Sequence, residues 1–192
     1  MSLVLVTEPD EEPITLAQAK SFARVTITDD DADIDALILS ARRHAETVTR
    51  RALVKQTWDL FLDRFPAGRR PIVIPKPPLR SVVKVDYVDD QGATQTWPSS
   101  QYEVDAAAEP GCLRPVDGVS YPTTARQMNA VAVRFEAGYD DAPGVPETIR
   151  LAIKMLVHHW YDNRGPLSFG TIVVPIPISI DDLLNSEAVI RF

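Results

Sequence analysis

The sequence contains very little cysteine and no long apolar segment, and both shortages narrow its function class. Only one of its 192 residues is a cysteine, Cys112, so an intramolecular disulfide and a cysteine-rich metal site are both excluded. No apolar run approaches the roughly 18 residues that a membrane-spanning helix needs. Acidic residues outnumber basic ones, and the formal net charge is −7. Tight binding of nucleic acid depends on Lys and Arg, so this balance argues against it but allows a surface that DNA slides past.

Motifs that carry catalytic chemistry are missing as well. The chain has no G-x-S-x-G, no P-loop and no G-x-G-x-x-G after a strand. Cys112 lies beside a glycine in a predicted loop, and the pairs Asp89-Asp90 and Asp140-Asp141 lie in predicted turns, where aspartate is common. The sequence therefore predicts no enzyme and no cofactor, although carboxylates far apart in the chain can still meet after folding.

Two clusters of side chains that could ligate a metal are present, but neither has the spacing that a metal site requires. The first is a group of aspartates at the start of a predicted helix: Asp29, Asp30, Asp31, Asp33 and Asp35. A calcium loop counted from Asp31 would have Ala36 where glycine is needed and Arg42 where a bidentate Glu belongs, so these residues are predicted to cap the helix. The second is His158-His159, which lacks the H-E-x-x-H spacing and is predicted to pack in a core or interface.

Helical periodicity is strongest near the two ends of the sequence. Thr15 and Gln18 have the spacing of a capping box, which predicts a first helix over residues 16–24. A stripe with the 3.6-residue period predicts a second helix over residues 30–51.

The same period returns later in the chain. Pro146 is well placed at a helix start, and a glycine followed by proline stops the pattern at Gly165. We expect Leu37, Ile153 and Trp160 to be buried where these helices pack together.

Between residues 55 and 139 the period changes to two, the period of a strand. About six short strands are predicted, and the stretch 106–130, rich in Ala, Pro and Gly, is predicted to be loop. The alternating apolar positions include Trp58, Leu60 and Leu62 in one strand and Val83, Val85 and Tyr87 in another. Such a pattern is typical of a small antiparallel β module, either a sandwich or an open barrel.

The sequence thus predicts an α+β fold in three parts. Residues 1–54 and 140–170 form a helical bundle, with two N-terminal helices and one long C-terminal helix. Residues 55–139 form the inserted β module. Residues 171–192 are apolar but contain Pro175 and Pro177, which prevent a compact helix, so they predict an extended arm with only a short helical turn at residues 181–186.

Several segments, taken in order, resemble head–tail connector (adaptor) proteins of long-tailed phages and gene transfer agents. The similar segments are Pro13-Ile-Thr-Leu-Ala-Gln-Ala-Lys20, Ile34-Asp-Ala-Leu-Ile38, Gln56-Thr-Trp-Asp-Leu60, Pro77-Pro-Leu-Arg-Ser-Val82, Tyr102-Glu-Val-Asp105, Phe135-Glu-Ala-Gly-Tyr139 and His159-Trp-Tyr-Asp-Asn-Arg164. The likeness extends over nearly the whole chain.

The resemblance implies a structural virion component made in the bacterial cytoplasm and located at the head–tail junction. It implies a homo-oligomeric ring, a dodecamer matching the portal above it, which extends the DNA channel and joins the filled head to stopper or tail-completion proteins. DNA would pass through such a ring without sequence-specific binding, and no membrane would be involved. The family offers no catalytic or metal-binding residues to transfer.

Two groups of residues are candidate contact sites in such a particle. The apolar side chains Ile176, Ile178, Ile190 and Phe192 would anchor the arm on a neighbouring subunit or on the portal. The basic side chains Arg42, Arg43, Arg50, Arg150 and Lys154 would line the channel or the contact between subunits. Solvated helix faces are the simpler explanation for the basic residues. The alternative functions are a small ligand-binding protein or enzyme with a helical cap, and another virion part such as a tail-completion protein.

Overall fold

The computed structural model describes residues 1–163 and 178–189, except the side chain of Ile178. The fold is α+β, with antiparallel sheets, and the chain divides into two compact units. Met1–Asp10 and Lys55–Tyr139 form the β unit, whereas Glu11–Val54 and Asp140–Phe192 form the helical unit. The chain therefore passes between the units three times, after residues 10, 54 and 139.

The β unit contains two antiparallel sheets. Its strands are β1 (Ser2–Thr7), β2 (Gln56–Leu62), β3 (Ile72–Val73), β4 (Leu79–Val88), β5 (Thr94–Trp97), β6 (Tyr102–Asp105), β7 (Cys112–Pro115) and β8 (Val131–Ala137). The five-stranded sheet has the order β1-β2-β8-β4-β5, and the three-stranded sheet has the order β3-β7-β6. The first and last strands in each order are the edges of that sheet.

Strand β8 shows how the sequence selects the buried face of the larger sheet. Val131, Val133, Phe135 and Ala137 are buried, while the residues between them are only half-buried. Strands β2 and β4 flank β8, and Leu60 and Val85 pair opposite Val133 from either side. Alternation on a central strand thus supplies one apolar face, which forms the core of this unit.

An aromatic cluster joins the two sheets of the β unit. The ring of Phe65 stacks on Tyr121 with centroids 4.9 Å apart and lies 5.5 Å from the ring of Trp97. Trp97 in β5 lies 5.0 Å from Tyr102 in β6. Burial raises the pKa of Tyr121 to about 12, and its hydroxyl donates a 2.8 Å hydrogen bond to the backbone oxygen of Arg70. These rings supply large apolar contacts where strands are short.

The helical unit contains α1 (Leu16–Ala23), α2 (Asp31–Thr49), α3 (Glu147–Asp162) and α4 (Ile178–Ser186). The capping box predicted before α1 is confirmed: the Gln18 amide donates to the Thr15 hydroxyl at 3.2 Å, and the Thr15 amide donates to Oε1 of Gln18 at 3.1 Å. The buried side chains come from all four helices and from the segments that flank them: Ile14, Ala19, Ile34, Ile38, Ala41, Ala45, Leu53, Ile149, Ile153, Leu156, Ile180 and Leu184. Among the described residues, no helix is both long and apolar enough to cross a bilayer.

The strands differ from the sequence prediction in three places. Residues 2–7, which were assigned to the helical bundle, form β1 and pair with β2. The predicted loop over 106–130 contains β7, a four-residue strand too short to give a periodic signal. Val83 was predicted to alternate in step with Val85, but the register shifts between Val82 and Lys84, and Val83 is 53% exposed while Val85 is buried. A bulge of this kind inserts a residue and reverses the alternation.

The helices differ as well. Helix α2 is shorter than predicted, and Asp30 holds its N-cap position without a side-chain capping bond. Its carboxylate instead accepts a 2.6 Å hydrogen bond from the Tyr161 hydroxyl. Of the three side chains expected in the core, Ile153 is fully buried, whereas Leu37 and Trp160 are half-buried.

The short helical turn predicted at residues 181–186 is confirmed, and it belongs to the longer helix α4 (Ile178–Ser186). Residues 178–180, which were predicted to be extended, form the first part of this helix. Ile180 and Leu184 are buried, and α4 packs against α2 and α3. Residues 171–177 of the predicted arm lie outside the described residues.

Candidate subunit interfaces

A buried ion-pair network lies in the helical unit and includes one of the predicted interface residues. Arg42 is only 2% exposed. Its Nε donates to the carboxylate of Glu12 at 2.8 Å, and its Nη1 donates to the carboxylate of Glu46 at 3.1 Å. The other oxygen of Glu46 accepts the backbone N–H of Leu53 at 3.0 Å. Arg42, a candidate for the channel or the subunit contact, is thus buried, and two carboxylates of its own chain compensate its charge.

The same network fixes the places where the chain enters and leaves the helical unit. Glu12 lies just after the first passage between the units, and Leu53 lies just before the second. Beside Glu12, the carboxylate of Glu11 accepts the backbone N–H of Ala142 at 3.0 Å, just after the third passage. Burial raises the pKa of Glu12 above its ordinary value, although Arg42 opposes this shift. Carboxylates thus hold all three connections where they join the helical unit.

The other basic candidates divide into two groups. Arg43 and Arg50 of the α2 region are exposed, and Arg50 contributes a long 3.4 Å hydrogen bond to the backbone oxygen of Val189. Arg150 and Lys154 of α3 are largely covered, and both contact Glu147, at 3.1 and 3.3 Å. Arg43 and Arg50 therefore lie on the surface, whereas the charges of Arg150 and Lys154 are paired with Glu147 of the same helix.

Two large apolar side chains of α1 and α3 are partly exposed to solvent. Phe22 of α1 is 39% exposed and Leu151 of α3 is 37% exposed. The Phe22 ring contacts the ring of His158 edge-on, with centroids 6.1 Å apart. His158 also lies 3.5 Å from the carboxylate of Asp162, so its surroundings are an aromatic ring and an acid.

The aspartates at the start of α2 form ordinary polar contacts. Lys20 of α1 donates to the Asp31 carboxylate, and the Tyr161 hydroxyl donates to Asp30. In the parts of the chain that the structure describes, no group of three or more His, Cys, Asp or Glu side chains is placed to hold a metal ion. These contacts tie α1 and α3 to the beginning of α2.

The predicted docking residues fall almost entirely outside the described part of the chain. Ile176, Ile190 and Phe192 lie outside it, as does the side chain of Ile178. The segment after α4 returns to α2, where the Val189 amide donates to the Thr49 carbonyl at 3.0 Å.

The β unit has a surface groove of about 320 Å³ between its loops. Arg64, Phe65, Arg69 and Tyr121 contribute to its lining. Arg69 pairs with Asp117 at 2.5 Å and donates to the Pro115 carbonyl at 3.0 Å.

Comparison with known proteins identifies the class to which this fold belongs. Residues 12–168 match the model of the head completion protein family. No match was found among curated proteins. The chain belongs to the head completion protein family.

Several chains in solved structures share the fold, among them three from gene transfer agent particles. A chain in the virion of a native gene transfer agent particle has a TM-score of 0.81 at 18% identity. Chains in the neck of an empty gene transfer agent particle, computed with C6 symmetry, and in the neck of a native one, computed with C12 symmetry, have TM-scores of 0.78 and 0.76 at 20% and 19% identity. Each match covers 100% of this chain and 97% of the other chain. At this identity the likeness establishes the fold.

Proposed function

We propose that this protein is a head–tail connector subunit of a phage or phage-like particle. It assembles as a ring beneath the portal, extends the DNA channel and joins the DNA-filled head to stopper or tail proteins. The observation that carries the proposal is its membership of the head completion protein family together with a fold matched along 97% of chains from particle necks. The C12 symmetry of one such neck supports a ring of twelve copies.

The charge distribution is compatible with this role. A channel through which DNA moves must not hold it, and the 27 acidic residues of this protein outnumber its 20 Lys and Arg residues, which disfavours tight binding of phosphates. The buried Arg42 and the largely covered Arg150 and Lys154 reduce the basic surface further. Arg43 and Arg50 are the basic candidates that remain for contact with a neighbouring subunit or the channel.

The direct test removes the gene from the producing strain and restores it on a plasmid. Without the subunit, we expect DNA-filled heads that lack tails. With it, electron cryo-microscopy should locate twelve copies between the portal and the tail. Tailed particles at normal yield without the protein, or its location elsewhere in the particle, would contradict the proposal.

The docking role of Ile176, Ile178, Ile190 and Phe192 is part of the same proposal. Removal of the whole segment 171–192 would also remove Ile180 and Leu184, which are 1% and 0% exposed core residues. A sharper test therefore ends the chain after Val189 and separately replaces Ile176 with Lys. Both variants should fold as the wild type does but fail to join heads to tails. Normal particle yield from both would remove these residues from the interface.

A further inference from the structure

The two sheets of the β unit have four edges within the described residues, and three of them carry features that discourage pairing with another chain. Strand β3 has only two residues and lies between Pro71 and Pro75. Strand β6 carries Glu103 and Asp105. Strand β5 has four residues, three of them polar, and is followed by Pro98. Short length, charge and proline are the usual devices that keep an exposed edge single.

The fourth edge, β1, carries no charge and no proline within the strand itself, although Glu8 and Pro9 follow it and its register with β2 shifts between Leu5 and Thr7. Its six residues are Ser-Leu-Val-Leu-Val-Thr. On its inner side β1 pairs with β2 from Ser2 to Thr7. The other side of β1 has no strand partner among the residues that the structure describes. In an edge strand, about half of the backbone amide and carbonyl groups point away from the sheet, so they are free to pair.

The side chains of β1 also remain open to solvent. Met1, Val4 and Val6 are 76%, 49% and 44% exposed. Leu3 and Leu5, which alternate with them, are half-buried. An edge that presents both unpaired backbone and exposed valines fits an extended backbone laid alongside it, because main-chain bonds supply affinity and alternate side chains supply contact area.

We propose that the free edge of β1 is a subunit–subunit contact, covered in the assembled ring by the backbone of a second copy of this chain. The inference rests on the proposed function, since it is the ring that supplies the neighbour. A closed ring uses head-to-tail contacts, in which one surface of a subunit meets a different surface of the next. Pairing of β1 with the β1 strand of a second copy would be two-fold and would close a dimer, so in a ring the edge is covered by a different extended segment of the neighbour.

The proposal explains why an aggregation-prone strand is kept. A long, apolar, uncharged edge is a hazard for a protein that works alone, since it pairs with any extended chain. In a ring the neighbour covers the edge permanently. The sequence Leu-Val-Leu-Val at residues 3–6 then serves the assembly rather than the folding of the subunit.

Hydrogen exchange with mass spectrometry compares the free subunit with the same chain in purified particles. Amides of residues 2–7 should exchange at least about tenfold more slowly in the particle, because pairing protects them from solvent. Equal exchange in the two states would overturn the proposal. If the chain is missing from the particles altogether, the proposed function fails instead, so the two failures are distinguishable.

A charge placed on the edge should block the contact, and the chain offers a matched control. Val4→Lys introduces a cation at a position that is 49% exposed on β1, and Val83→Lys does the same at a position that is 53% exposed on the interior strand β4. Both variants should unfold at the wild-type temperature. Val4→Lys should assemble about tenfold fewer particles, the factor given by a loss of about 1.4 kcal/mol, while Val83→Lys should assemble normally. Equal yields from the two variants would refute the contact.

Photo-cross-linking identifies what covers the edge. The native thiol is removed by Cys112→Ser, and a benzophenone maleimide is attached to a cysteine introduced by Val4→Cys. Irradiation of assembled particles should give a product of twice the subunit mass. A product that joins the subunit to a portal, stopper or tail protein would show a different occupant and overturn the assignment to a second copy.

Discussion

Replacement of Arg42 by methionine tests the buried network most severely. The methionine keeps much of the apolar volume but leaves Glu12 and Glu46 without their shared cation. Side-chain exposure is 3% for Arg42, 8% for Glu46 and 30% for Glu12, so at least one of the two pairs is deeply buried. Loss of one partner of a buried pair typically costs about 3–5 kcal/mol. We expect a loss of that size in the free energy of unfolding of the helical unit at pH 7.

The control variants separate the charge from the packing. Glu46→Gln retains an oxygen that can accept the Leu53 amide, so it should cost only about 1–3 kcal/mol. In the double variant Arg42→Met, Glu46→Gln, one of the two uncompensated carboxylates is gone. Its loss should therefore be smaller than the sum of the two single losses, as expected for residues in one network.

Urea denaturation followed by far-UV circular dichroism measures these differences, because the helices of the affected unit dominate that signal. A loss below about 1 kcal/mol for Arg42→Met would mean that the network contributes little beyond packing, as exposed ion pairs do. Strictly additive losses in the double variant would show that Arg42 and Glu46 act independently. Either result would refute the reasoning.

Two further predictions concern the pH dependence and the β unit. Because burial raises the folded-state pKa of Glu12, its contribution to stability is fully present below the ordinary value of 4.5 and is lost as the pH rises through the folded value. The difference in unfolding free energy between wild type and Glu12→Gln should therefore decrease from about pH 4.5 to pH 7 in a pH series of urea titrations, and a flat or rising difference would contradict the shift. Phe65→Ala should destabilise the β unit by about 3–5 kcal/mol, the usual cost of deleting a buried aromatic ring. The control Phe22→Ala, at a position that is 39% exposed, should cost far less. Thermal unfolding followed by near-UV circular dichroism measures both losses, and equal losses would show that Phe65 is not a core residue.

The sequence predicted well those elements that carry a complete local signal. The capping box at Thr15 and Gln18 is one example, since both of its hydrogen bonds form within one helical turn. Strand β8 is another, because its strict alternation determines which face is buried. The side chains of β1 also point alternately to the two faces of the sheet, but the residues on both faces are mainly apolar. The sequence of β1 therefore does not show which face is buried. Its place became clear only from its pairing with β2.

The burial of charged candidate residues was also difficult to predict from the sequence. Arg42 and Arg43 are neighbours in sequence and look equivalent, yet the helix turns about 100° between them. Arg42 follows Ile38 by four residues and precedes Ala45 by three, so it lies on the buried face, and Arg43 does not. A usable signal was present in the spacing of Arg42 and Glu46, four residues apart on that apolar face. Glu12 had no such signal, because its contact spans 30 residues of sequence.

The three passages of the chain between its units have a mechanical consequence. A domain attached by one linker transmits any pull through a single peptide segment, whereas here three segments share the tension in parallel. A single cut between residues 54 and 55 would leave each fragment with parts of both units: residues 1–54 keep β1 with α1 and α2, and residues 55–192 keep the remaining strands with α3 and α4. The nicked subunit would still connect the two units covalently through both fragments. Such a subunit resists separation of its two units even after its backbone has been broken once.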